Sequence, residues 1–175
     1  MSNGTSIACG EGGTKTRTRL KIFNRELFRE EVEKATCPSC ADFNDVCLNY
    51  NELNSPKRRS TNSKQEKNCD KEHQQSYSTK SIDWKGPGWY RVTGEAGTKL
   101  IDSEVDEKRC GTSATGWMEG GHPTVAEGEV GRTVYFRWGS QLHNWKVDVK
   151  VLNCNTHYVY HLVDAPNCSL GYCTE

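Results

Sequence analysis

Apolar residues are scarce in this 175-residue chain: they make up 34%, and mean hydropathy is −0.83. No stretch approaches the run of about eighteen apolar residues that a membrane-spanning helix needs. Charge of one sign is not in excess either, because 23 basic residues balance 23 acidic ones. That balance removes any global electrostatic argument for nucleic acid or an anionic membrane surface. Also missing are a Gly-x-Ser-x-Gly elbow, a phosphate-cradling glycine loop and a His-Glu-x-x-His helix, so no catalytic motif stands out. The N-terminus lacks the charged and then apolar opening of a secretory signal: Met1 to Cys9 leads straight into a polar, glycine-rich run.

What the chain does have is nine cysteines, sixteen glycines, five tryptophans and seven tyrosines. A thin apolar core with that many cysteines points to covalent cross-links and an oxidising compartment. The cysteines fall at 9, 37, 40, 47, 69, 110, 154, 168 and 173, an odd number that leaves one thiol over. Two readings follow: a fragment of a secreted protein that has lost an upstream partner, or an intracellular protein that uses cysteine for metal. Sequons at Asn3-Gly-Thr and Asn167-Cys-Ser make Asn3 and Asn167 glycosylation candidates and agree with secretion. For the metal reading, Cys37-Pro-Ser-Cys40 has the gap of a zinc knuckle, and Cys69 with His73 would supply the second half. The long Cys40-to-Cys69 gap speaks against an ordinary finger.

The texture changes along the chain. Gly10 to Arg19 alternates threonine with basic residues, the period of an exposed strand. Phe23, Leu27 and Phe28 then recur at helical spacing, which predicts one short amphipathic helix over 23–34. Pro56 to Lys67 is polar and net basic without an apolar period, and 56–87 reads as a mobile insertion. From Trp84 the pattern is β. Gly88–Val92, Thr133–Trp138, Lys146–Val151 and His157–Val163 are short strand-like runs, with Val147, Val149 and Val151 on one face and Tyr158, Tyr160 and Leu162 together. Trp89, Trp117, Trp138 and Trp145 are expected to fill the core, the alternative being an exposed carbohydrate platform. His122, His143, His157 and His161 read as surface or packing histidines.

A set of motifs appears in order: Gly88-Trp-Tyr-Arg-Val92, Gly94-Glu-Ala-Gly97, Arg109-Cys-Gly-Thr112, Gly116-Trp117, Gly121-His-Pro123, Gly128-Glu-Val130, Tyr158-Val-Tyr160 and Cys168-Ser-Leu-Gly-Tyr-Cys173. With the lead-in from Cys47 to Pro56 and Cys69-Asp-Lys71, residues 47–175 closely resemble the cysteine-rich domain family of uromodulin and the pancreatic zymogen-granule glycoprotein. The family pattern has ten cysteines in five bridges. By that resemblance this chain keeps Cys47–Cys154, Cys69–Cys168 and Cys110–Cys173. Glu104, Tyr135, Leu142 and His143 stand at the other four positions, where the family joins 104 to 142 and 135 to 143. Two whole bridges are therefore absent, with no half-bridge left behind. Glu119 also stands where the family carries the asparagine of a glycan presented to bacterial lectins, so that role does not carry over. A weaker resemblance links Cys9 to Arg19 with the arginine strand of thrombospondin type 1 repeats.

The expectation is a mainly β fold: a small disulfide-bonded antiparallel β domain over 47–175, preceded by a 1–46 segment with one short helix. The function implied is a non-enzymatic, extracellular recognition or scaffold module of a secreted or cell-surface glycoprotein. It needs no cofactor and would face another glycoprotein or a carbohydrate-bearing surface. The alternative is the intracellular zinc module on Cys37, Cys40, Cys69 and His73.

Overall fold

The computed structural model describes residues 14–23, 26–36, 45–64, 66–72 and 79–175. The chain divides into two units, 1–48 and 49–175. In the first, β1 (Thr14–Phe23) pairs antiparallel with β2 (Glu26–Thr36). The described residues of the helix expected over 23–34 are therefore in strands, and among the described residues the short helix lies at 45–48. An isolated amphipathic helix of about twelve residues is marginal in water. The register instead sets Arg19 opposite Glu30 and Ile22 opposite Leu27, and cross-strand pairs of these kinds favour a hairpin.

The second unit is built on a seven-stranded sheet. Its edges are β11 (Leu170–Tyr172) and β3 (Asn51–Leu53), each paired parallel to its neighbour. Between them lie, in spatial order, β7 (Ala114–Glu119), β8 (Val130–Trp138), β9 (Gln141–Asn153), β10 (Tyr158–Leu162) and β6 (Gly88–Val92), all antiparallel. Period-two alternation fixes the inward face. Val134 and Phe136 on β8, Val149 and Val151 on β9, and Tyr160 and Leu162 on β10 are buried, while Asp148 and Lys150 are exposed. Gly139, at φ +64°, turns β8 into β9, and the register shifts between Phe136 and Trp138. Gly116 admits the parallel edge: a Cβ there would sit 2.8 Å from the Phe136 ring and 2.9 Å from the Gly171 carbonyl oxygen. A separate two-stranded pair joins β4 (Asn68–Cys69) to β5 (Thr79–Lys80). Among the described residues no helix is long and apolar enough to cross a membrane.

Trp84 is the indole at the centre of the core. It stacks on Tyr90 at 5.0 Å and on Tyr172 at 5.8 Å, and Tyr172 meets Phe136 edge-on. Of the four tryptophans expected there, Trp145 packs half-buried against this core and Trp117 against a smaller one, while Trp89 is half-buried and Trp138 is 44% exposed. Trp84 reaches the core from a loop, Trp117 lies on the face of β7 opposite buried Met118, and Trp138 follows the register shift after buried Phe136.

The stretch expected as a mobile insertion carries the most deeply buried cation among the described residues. A 3-10 turn at Pro56–Arg58 delivers Arg58 into the interior, where it is 4% exposed. Its Nη1 and Nη2 donate to the two oxygens of Asp70 at 2.7 and 2.8 Å. Its Nε donates to Asp83 Oδ2 at 2.8 Å and its Nη2 to Asp83 Oδ1 at 2.5 Å. The carboxylates are held from behind: Asp83 accepts from the Asn54 and Ser55 amides, and Asp70 from the Tyr172 amide. Burial opposes ionisation of Asp83, but the guanidinium outweighs it and keeps its pKa below the usual carboxylate value. The same segment is stitched to the C-terminus, with the Arg58 carbonyl accepting from the Thr174 amide and the Ser60 amide donating to the Thr174 carbonyl.

Candidate recognition surface and cysteine framework

The cysteines fall at the joints of this sheet. Cys110 and Cys173 form a disulfide with Cα atoms 5.4 Å apart, closing a separation of 63 residues. The bridge packs with Ile101 and Val105 into a small second core, against which Trp117 leans. Cys47 and Cys154 are each disulfide-bonded. Cys69 on β4 and Cys168 just before β11 are brought together as hydrogen-bonded thiols, where the resemblance implied a closed bridge. Burial pushes the Cys69 thiol up to about 11, so it stays protonated at neutral pH and is a poor nucleophile. Its Sγ lies 3.9 Å from the Asn167 carbonyl oxygen.

The remaining site residues divide cleanly. Asn167 is exposed, with its Oδ1 accepting from the Cys168 amide at 2.8 Å. Asn3, Cys9, Cys37, Cys40 and His73 lie outside the described residues, so the zinc set is represented there by Cys69 alone. Among the described residues no group of three or more His, Cys, Asp or Glu is placed to hold a metal.

Where the family pattern has its two further bridges, the structure puts side-chain contacts. The rings of Tyr135 and His143 are 4.1 Å apart, and Trp117 approaches them at 5.7 and 5.9 Å. Leu142, at the position the pattern joins to 104, is half-buried. Arg137 takes that part instead, pairing with Glu104 at 2.6 Å and Asp106 at 3.0 Å and tying the 101–108 loop to β8. The register shift beside Trp138 carries His143 round to the face that Tyr135 occupies.

One histidine arrangement escaped the sequence. His122, in the Gly-His-Pro turn, is 6% exposed at its side chain and sits between Asp102 (Nδ1 to Oδ2, 2.9 Å) and Tyr160 (Nε2 to the hydroxyl, 2.8 Å). The Tyr160 hydroxyl already accepts from the Leu100 amide at 3.1 Å, so its own proton points to His122 Nε2. His122 is then the neutral tautomer that donates from Nδ1 to Asp102. Burial lowers the His122 pKa despite the carboxylate. Burial resists ionisation of Asp102 as well, but the His122 hydrogen bond and Lys99 hold its pKa low. Burial raises that of Tyr160. The arrangement is a packed structural link in which both ring nitrogens of His122 are engaged. The only signal in the sequence was a histidine set before a proline in a glycine turn.

The uromodulin-like domain family matches residues 90–174. The chain is 37% identical over 132 residues to the pancreatic secretory granule membrane major glycoprotein GP2 of Canis lupus familiaris, covering 75% of this chain and 23% of that protein. It is 34% identical over 131 residues to the GP2 of Homo sapiens, covering 74% of this chain and 22% of that one. It is 39% identical over 89 residues to the uromodulin of Mus musculus, covering 50% of this chain and 14% of that one. The chain thus spans less than a quarter of the length of these relatives. The thrombospondin type 1-like reading of 9–19 gains no support. Residues 90–174, just under half of the chain, thus carry a uromodulin-like domain.

Proposed function

We propose that this chain is an extracellular, non-enzymatic recognition or scaffold module of a secreted or cell-surface glycoprotein. Its framework is the three bridges Cys47–Cys154, Cys69–Cys168 and Cys110–Cys173. One observation carries the reading: the Cys110–Cys173 bridge is closed, and in the same corner the fold has brought Cys69 and Cys168 into contact across 98 intervening residues. Such long-range cross-links suit an oxidising compartment and a domain with a thin core. The GP2 relatives are named as glycoproteins of a secretory granule membrane, and the partner proposed here is another extracellular glycoprotein or a carbohydrate-bearing surface. A His122 engaged at both ring nitrogens fits the non-enzymatic reading.

The test is non-reducing peptide mapping of the chain produced through a secretory pathway. The three named pairs are the expected result. Reduced thiols at the six positions, with zinc bound in stoichiometric amount and lost to a chelator together with the fold, would overturn the reading. They would put Cys37, Cys40, Cys69 and His73 forward as an intracellular metal module instead.

A further inference from the structure

Beside Asn167 the surface carries a groove of about 240 Å³, lined by Trp138, Trp145, Lys67, Ser113, Cys168 and Ser169. It is smaller than the pockets of about 300–1,000 Å³ that take drug-sized ligands, and it suits a single sugar ring. Trp145 leans against the core, whereas Trp138 is open to solvent, with the Lys108 ammonium 6.0 Å from its ring centre. Two of the lining residues, Cys168 and Ser169, are the second and third positions of the Asn167-Cys-Ser sequon. The sequon is held rigidly. The Ser169 carbonyl accepts from the Ser113 and Ala114 amides and from the Thr112 hydroxyl, so Asn167 is fixed at the rim while the next residue turns inward.

We propose that Asn167 carries an N-linked glycan whose first N-acetylglucosamine lies in this groove against Trp138. The inference rests on the extracellular reading above, since transfer requires the secretory pathway. The donor is a polyprenyl-diphosphate-linked oligosaccharide. Asn167 Nδ2 forms the new bond to the sugar C1, the C1–oxygen bond to the diphosphate breaks, the diphosphate carrier leaves, and the amide gives up one proton. The Oδ1 hydrogen bond to the Cys168 amide survives this chemistry, because substitution at Nδ2 leaves the acceptor oxygen intact. The C–H face of a pyranose is apolar, as is the indole face, while its hydroxyls can stay in water or meet Lys67 and Ser113. Tethering at the rim gives the sugar a high effective concentration over the groove, so weak stacking suffices for occupancy. A tryptophan this exposed beside its own attachment point thereby gains a cover.

The experiment uses the full chain secreted from mammalian cells, with bridges mapped and occupancy of Asn167 read by glycopeptide mass spectrometry. Melting temperatures are then compared for the parent, Ser169→Ala, Trp138→Ala and the double variant. Ser169→Ala removes the sequon and keeps Asn167. Enzymatic deglycosylation of the folded parent gives a second route should that variant fail to fold. Removing the glycan should lower Tm by about 3 °C in the parent and leave Trp138→Ala unchanged. Equal losses in both backgrounds would overturn the groove assignment. A secreted, correctly bridged chain bare at Asn167 would overturn the inference and leave the extracellular module standing. A chain that is not secreted, or carries zinc in place of bridges, would remove both.

Discussion

Replacing Arg58 by methionine removes the cation and leaves two carboxylates, Asp70 and Asp83, 0% and 5% exposed, in the interior. Their remaining donors are main-chain amides: Tyr172 for Asp70, Asn54 and Ser55 for Asp83. Taking one partner from a buried pair costs about 3–5 kcal/mol, and here one change strips two anions, which places Arg58→Met near the upper end. With a urea m-value of about 2 kcal/mol/M, a loss of about 4 kcal/mol moves the midpoint down by about 2 M. The proper assay is urea unfolding of the oxidised chain followed by tryptophan emission, since Trp84 reports on this core. The deficit has a pH signature. In the parent the folded pKa of Asp83 is lowered, so its contribution is present above the ordinary carboxylate value and is lost as pH falls through the folded pKa. Without the guanidinium, burial is opposed on Asp83 only by the main-chain amides, and its folded pKa is expected to rise above the unfolded one. The variant then loses stability as pH climbs through that value. The gap between parent and variant should therefore widen from pH 4 to pH 7, and adding Asp70→Asn and Asp83→Asn to Arg58→Met should recover much of it. A midpoint within about 0.5 M of the parent, flat with pH, would refute the view that this network holds the 55–60 segment in place.

Serine at both Cys110 and Cys173 should cost about 4 kcal/mol, the chain-entropy value for a loop of some sixty residues, read as a fall in urea midpoint with the other bridges intact. Because the folded pKa of His122 is lowered, its contribution is complete above its unfolded value near 6.5 and declines as pH falls from there through the folded pKa. His122→Phe should remove that part of the slope when midpoints are measured between pH 5 and 8. Cysteines at both 135 and 143 should form a bridge detectable by peptide mapping and gain about 1 kcal/mol, after subtracting the ring contact they replace. An unbridged pair would show that the local backbone no longer suits the family's cross-link.

The strands were legible wherever the pattern was local. Alternation alone put Val149 and Val151 inside, and paired Tyr160 with Leu162 on one face. It failed where one spacing served two structures: Phe23, Leu27 and Phe28 satisfy a helical stripe, and the same residues sit in a hairpin whose partner strand lies upstream. It failed again where the deciding contacts were distant. Arg58 in a Pro-Lys-Arg-Arg run reads as a solvated cation until Asp70 and Asp83, 12 and 25 residues on, are folded around it. Indole size argues for burial of every tryptophan, and Trp145 does pack on the core, whereas strand parity sets Trp117 opposite Met118 and a register shift precedes the exposed Trp138. Cys110–Cys173 followed from a resemblance, and no local pattern would have supplied it.

The exchange of two bridges for side-chain contacts has an energetic direction. A disulfide typically contributes about 2–4 kcal/mol, whereas an aromatic pair adds about 0.5–1.5 and an exposed ion pair at most about 1. Tyr135–His143 and Arg137–Glu104 therefore hold the β8–β9 tip less firmly than the family's cross-links would. The tip is also the place where the register shifts and where Trp138 stands open. Away from that tip, the Arg58 network, the closed Cys110–Cys173 bridge and the stitched C-terminus lock β11 and the 55–60 segment into one block. Stability is thus graded across the sheet, with the loosest elements at the aromatic tip. Elements that must adapt to a ligand are drawn from the less stable part of a structure. Trp138, the ring that a glycan on Asn167 would cover, therefore stands on the part of the sheet with most room to adapt, carried on a rigid cross-linked block.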